Sequence, residues 1–149
     1  MPEPAPPDVV LEALRKALPE SRLHRIPRHP ERRDILLAIF CLRMRRRYPY
    51  TESELNALLA DAIADVNGDV DHVTWRRFLV DLGFVKRDRA GTRYFLNFPK
   101  IESTLSAASM ASAETLISRA LSSARVSGGS SSRHWATTGD SGQGSPRVD

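Results

Sequence analysis

Cysteine occurs once in the 149 residues, at Cys41, so an intrachain disulfide is impossible and cysteine-rich zinc sites are excluded. Inside an apolar stretch, that cysteine reads as a small core residue. Long apolar runs are missing as well. The longest, residues 35–42, is followed at once by Arg43 and falls far short of the length that spans a bilayer. The opening MPEPAPPD has neither the basic start nor the apolar block of a secretory signal, which points to a cytoplasmic protein with no membrane partner.

Enzyme signatures are scarce too. No phosphate-cradling glycine loop, nucleophile elbow or dinucleotide fingerprint occurs. The histidines, His24, His29, His72 and His134, show no i, i+4 pairing of the kind that binds zinc. Asp65, Asn67, Asp69 and Asp71 invite a calcium reading, but it fails on mechanics. The sixth position from Asp65 is Val70 rather than the turn glycine, and the twelfth is Arg76 rather than a bidentate glutamate. Glu52 and Glu54 are explained by a helix start. The expectation is a binding protein and not an enzyme, with no catalytic residue, metal or cofactor.

What is present is positive charge in one place. Residues 24–100 hold fifteen basic and ten acidic side chains, whereas residues 1–23 hold three and four and residues 101–149 four and four. The whole excess therefore sits in the stretch that looks folded, as expected of a polyanion binder.

Local signals divide that stretch. Asp8 is placed to cap a short helix carrying Val10, Leu11, Leu14 and Leu18, ended by Pro19. After a connector, Pro30 and Glu31 open a helix that is apolar nearly all round, hence central, and that ends in Arg43, Arg45, Arg46 and Arg47. Thr51 and Glu54 form a capping box before a helix with Leu55, Leu58, Leu59, Ala62, Ile63 and Val66 on one face, broken at Asn67 and Gly68. Asp71 caps a third helix over residues 72–82, closed by Gly83. Its inward face is Trp75, Phe78, Leu79 and Leu82; Val73, Thr74, Arg77 and Val80 face away, with Arg76 at the margin. Two strands, residues 84–88 and 92–98, flank a turn at Arg89, Ala90 and Gly91. Residues 101–125 read as one Ala/Ser-rich helix with sparse anchors Leu105, Leu116, Ile117 and Leu121, and residues 127–149 as an unstructured tail.

Three helices followed by a basic hairpin is the order of a winged helix-turn-helix. In that architecture the third helix can enter a major groove while the hairpin touches phosphates. The candidate nucleic-acid-binding residues are Thr74, Arg76 and Arg77 on the helix and Lys86, Arg87, Arg89 and Arg93 on the hairpin. Arginine clamps phosphates and reads guanine edges bidentately. A different reading stands beside it. Arg77 and Asp81 are spaced to pair on the surface, and Val73 and Val80 suit a docked protein better than a wet groove.

Three stretches together resemble the bacterial family called domain of unknown function 2087. They are Arg33-Asp34-Ile35-Leu36-Leu37, Tyr50-Thr51-Glu52-Ser53-Glu54-Leu55-Asn56, and the run from Trp75 through Phe84 with Arg87, Gly91 and Tyr94. The resemblance covers about residues 23–98. It implies a winged-helix-like fold, sometimes attached to transcriptional regulators, and brings no catalytic residue or cofactor. Residues 65–70 depart from the usual short form, being longer and more acidic, and a longer turn can tilt the third helix. The shared polar residues also have structural readings: Asn56 bonding a neighbouring backbone, Arg77 and Asp81 networked with Arg87.

The expected fold is thus mainly α with a small β-hairpin, a winged helix-turn-helix-like domain with flanking N- and C-terminal helices. The expected divisions are an N-terminal tail and helix (1–23), the winged-helix-like domain (24–100), the Ala/Ser-rich helix (101–126) and the tail (127–149). Double-stranded DNA is the expected partner, with a homodimer formed through the Ala/Ser-rich helix. The alternative is a non-catalytic protein-interaction module using the third helix and the C-terminal helix.

Overall fold

Val10, Leu11 and Leu14 recur at helical spacing and bury the inner side of α1 (Pro7–Ala17) in the computed structural model, which describes residues 3–128. The helix opens at Pro7 with Pro6 as its cap residue, so Asp8 sits in the first turn and makes no side-chain cap. Its carboxylate still favours the positive end of the helix dipole. A single three-ten turn, Pro19–Ser21, carries the chain out of α1.

Pro30 begins α2 (Pro30–Cys41), and every residue from Ile35 to Cys41 is buried. A helix covered on all sides must lie at the centre of its fold. α1 and α5 (Phe98–Thr104) supply part of that cover. Burial also pushes the Cys41 thiol far up from its ordinary range, which keeps it an unreactive core residue. α2 ends at Cys41, so Arg43, Arg45, Arg46 and Arg47 occupy the following turn and not the helix end. They act there by other means. Arg43 pairs with Asp65 at 2.7 Å, Arg45 lies over the Tyr48 ring and Arg46 over the Phe98 ring at 4.0 Å.

The capping box forms as the sequence implies. Glu54 N donates to Thr51 Oγ1 at 3.1 Å and Thr51 N to Glu54 Oε1 at 2.9 Å, starting α3 (Glu52–Asp65). Asp71 accepts from Thr74 N and starts α4 (His72–Asp81), which packs against α3. Between these helices the acid-rich turn is fully engaged. Asp65 holds Arg43, Asp69 holds Arg22 at 2.6 Å, Asn67 Nδ2 donates to the Ser21 carbonyl, and Asp71 is the cap. Gly68 is required here, because a Cβ would sit 2.6 Å from Ile63 Cγ2. Leu23 closes the arrangement, its N–H donating to Val66 O and its carbonyl accepting from Asp69 N. The extra residues of this turn are therefore stitched to the connector before α2.

β1 (Val85–Arg87) and β2 (Tyr94–Leu96) pair antiparallel, with Val85 opposite Leu96 and Arg87 opposite Tyr94. Tyr50, between α2 and α3, exchanges both backbone hydrogen bonds with Tyr94, at 2.9 and 2.8 Å, on the other edge of β2. Helix, extended rung, helix, helix and hairpin is the order of a winged helix. The fold is mainly helical with this small antiparallel sheet.

Residues 98–128 differ from the expected single helix. They form α5, α6 (Ala107–Ala111) and α7 (Ala113–Gly128). The first break has a clear cause. Leu105 adopts extended backbone so that Ala5 can accept from Ser106 N and donate to Thr104 O, at 3.0 and 2.8 Å. Ser106 then caps α6, and the Ser109 hydroxyl donates to the Ala5 carbonyl. Leu116, Ala120 and Leu121 of α7 are buried, and α7 packs against α1 and the three-ten turn of the same chain. The expected tail, 127–149, lies outside the described residues except for its first two positions. Among the described residues no helix is long and apolar enough to cross a membrane.

Candidate nucleic-acid interface

α4 is amphipathic, and its orientation fixes where each candidate residue points. Trp75 and Leu79 are fully buried, Phe78 and Leu82 half-buried. The opposite side presents Val73, 39% exposed, and Arg77, also exposed. No carboxylate among the described residues pairs with Arg77; Asp81, one turn on, does not. Thr74 and Arg76, two positions apart, lie on opposite flanks of the helix.

Those flanks have different fates. Thr74 is exposed and borders a cleft with Arg25, Arg28 and Arg33. Arg76 turns inward. Its Nη1 donates to Asn56 Oδ1, its Nη2 lies 3.8 Å from Glu52 Oε2, and its guanidinium stands 5.9 Å from the Tyr94 ring centroid. Only 16% of its side chain is exposed. Arg76 is thus a strut joining α3, α4 and the hairpin, and Asn56 serves this guanidinium rather than a neighbouring backbone.

The hairpin divides its cations by strand alternation. Arg87 lies opposite Tyr94 and Lys86 opposite Phe95, so the two adjacent cations point to different faces. Arg87 stands 5.5 Å from the Tyr94 centroid and donates to the Gly91 carbonyl at 3.1 Å. Gly91 has φ of 75°, a backbone state that favours glycine in this turn. Arg93 is exposed, with one bond to the Thr92 carbonyl; Lys86 and Arg89 are exposed with no ion pair among the described residues. Arg76, held by Glu52 and Asn56, and Arg87, bonded to the Gly91 carbonyl, both stand near the Tyr94 ring. Thr74, Arg77, Lys86, Arg89 and Arg93 point outward, and Arg87 is exposed as well.

Asp88 holds the turn that displays Arg89. Its Oδ1 accepts from Thr92 N at 2.7 Å and Arg93 N at 3.1 Å, and its Oδ2 from the Thr92 hydroxyl. The Arg93 amide, followed by the Thr92 amide and hydroxyl, holds this carboxyl below its usual range. A depressed folded-state pKa gives stability that is complete above the unfolded value and lost as pH falls through the folded one. The protection of the Thr92 and Arg93 amides, relative to their intrinsic exchange, should therefore fall below about pH 4, while the buried interiors of the helices stay protected. Exchange that is unchanged in Asp88→Asn would show that another group holds the turn.

Sequence reasoning passed over the connector before α2. His24, Arg25 and Arg28 line two adjoining clefts, one reaching Thr74 and the other reaching Lys16 and Arg32. The available signal was the density of cations in residues 24–33, among which only Glu31 is acidic.

Residues 22–96, half of the chain, match the family described as "Uncharacterized protein conserved in bacteria (DUF2087)". No curated protein and no solved structure matches the chain.

Proposed function

The chain belongs to this bacterial family, and from that premise we propose that it binds nucleic acid, as a winged-helix protein associated with transcription in the cytoplasm and with double-stranded DNA as partner. One observation carries the reading. Arg77, Lys86 and Arg89 stand exposed with no ion pair among the described residues, while Arg22, Arg33, Arg43 and Arg76 each reach a carboxylate. Those four are neutralised within the chain; Arg77 on α4 and Lys86 and Arg89 on the hairpin are left to an outside anion. Arg77 approaches the groove from the outward face of α4, Thr74 flanks it, and Lys86, Arg89 and Arg93 hold backbone phosphates. Arg76 and Arg87 position the hairpin against α4 through Tyr94.

Fluorescence anisotropy with a mixed-sequence duplex tests this. Arg77→Ala and Arg89→Ala should each weaken binding about tenfold near 0.1 M salt and reduce the salt slope by about one. Binding left intact by both substitutions rejects the surface.

The second reading, a protein-docking face on α4 extended by the C-terminal helix, is favoured by the exposure of Val73 in the first turn of α4, although Val80 is half-buried against the core rather than facing away. It predicts a partner lost on Val73→Asp and indifferent to Arg89→Ala.

A further inference from the structure

The connector between the three-ten turn and α2 forms one wall of a cleft of about 610 Å³. Its basic lining is Lys16, His24, Arg25, Arg28, His29 and Arg32, and no carboxylate among the described residues lines it. Lys16 leans to Glu12 at 3.6 Å, and His29 Nδ1 accepts from Arg32 N at the start of α2. The guanidinium groups of Arg25, Arg28 and Arg32 have no ion pair among the described residues.

Gathering like charges around one concavity raises their mutual repulsion, and among the described residues no carboxylate pairs with Arg25, Arg28 or Arg32 to offset it. The adjoining cleft between α1 and α2 shares Lys16, His29 and Arg32 but adds Asp8, Glu12 and Glu31, so the uncompensated charge is centred on Arg25 and Arg28. On its other side the connector borders a cleft of about 530 Å³, where Arg25 and Arg28 meet Arg33, Val70, Thr74 and Phe78. Arg25 and Arg28 thus form a bridge between the flank of α4 and the start of α2, whose positive dipole end adds to the field.

We propose that this connector cleft is a phosphate-binding site, and that its phosphates come from the backbone of a nucleic acid running past α4. The two contiguous clefts favour an extended polyanion over an isolated small one, since an isolated anion needs no track leading to Thr74. The choice of nucleic acid rests on the function proposed above; the phosphate chemistry of the cleft does not.

The test uses the full chain and a duplex of about two helical turns, titrated across a salt series. The triple variant Arg25→Ala, Arg28→Ala, Arg32→Ala should bind about a hundredfold more weakly near 0.1 M salt. Its log–log salt slope should be shallower by about 2.7, the share of three phosphates. The corresponding triple lysine variant, which keeps the charge, should recover most of both. Unchanged melting of the alanine variant will show that the fold is intact, because none of the three side chains is ion-paired. A triple alanine variant that binds with wild-type affinity and slope overturns the proposal. If the wild-type chain binds no duplex even at low salt, the nucleic-acid reading and the backbone source fall together. Calorimetry with inorganic tripolyphosphate then decides the cleft by itself: binding that disappears in the triple alanine variant supports the phosphate site with a small ligand as its source, and no binding overturns it.

Discussion

Replacing Trp75 with alanine is expected to cost about 4 kcal/mol of stability, the middle of the range for an aromatic core residue. Trp75 is fully buried on the inner face of α4 and stacks on Phe40 of α2, with ring centroids 4.4 Å apart and planes at 27°. It is the contact that ties the outward helix to the central one. Removing the indole leaves a cavity in a close-packed core, where Phe40, Leu55, Leu59 and Leu79 are buried in the same cluster and collapse only in part. Trp75→Phe provides the informative control. The Trp75 Nε1–H has no partner among the described residues, so phenylalanine loses ring area but also removes an unsatisfied buried donor. Its cost should be less than half that of alanine. Urea unfolding at constant slope measures both. An alanine variant within about 1 kcal/mol of wild type would mean that α4 is anchored elsewhere.

Where the sequence proved readable, the controlling interactions are local. The box at Thr51 and Glu54 and the cap at Asp71 are hydrogen bonds across three residues, so composition and spacing are enough to see them. The central place of α2 follows from a run with no polar face. The Tyr50–Tyr94 rung, by contrast, joins positions far apart in the chain, and no periodicity announces it. The break at Leu105 depends on Ala5, near the opposite end of the chain, and alanine and serine content alone favours a continuous helix. The candidate interface divides in the same way. Arg77 is outward by simple helical phase. Arg76, at the margin of that phase, is drawn in by Asn56 and Glu52 on another helix. Adjacent cations at Lys86 and Arg87 part company because a strand alternates its faces, which becomes a definite statement only once the register against Phe95 and Tyr94 is known.

A fragment limited to residues 22–100 is expected to lose cooperative folding altogether. The family match ends at residue 96, yet α2 is covered by elements on either side of it. Val10 and Leu14 from α1, Ile101 and Leu105 from the α5 region, and Leu116 and Leu121 from α7 are all at most 3% exposed. At about 2 kcal/mol for each of the six buried aliphatic side chains, removing those contacts is as large as the whole stability of an ordinary domain, about 10 kcal/mol. The same deletion also bares the side of α2 that α1 and α5 cover, Ile35 included, apolar surface of the kind that drives association. The fragment should therefore bind a hydrophobic dye and melt without a sharp transition, unlike the full chain. A fragment 22–100 that unfolds cooperatively at the full-chain midpoint would show that the flanking helices only decorate the matched region. On the packing described here they complete its core, so the unit that folds extends beyond the unit that the family shares.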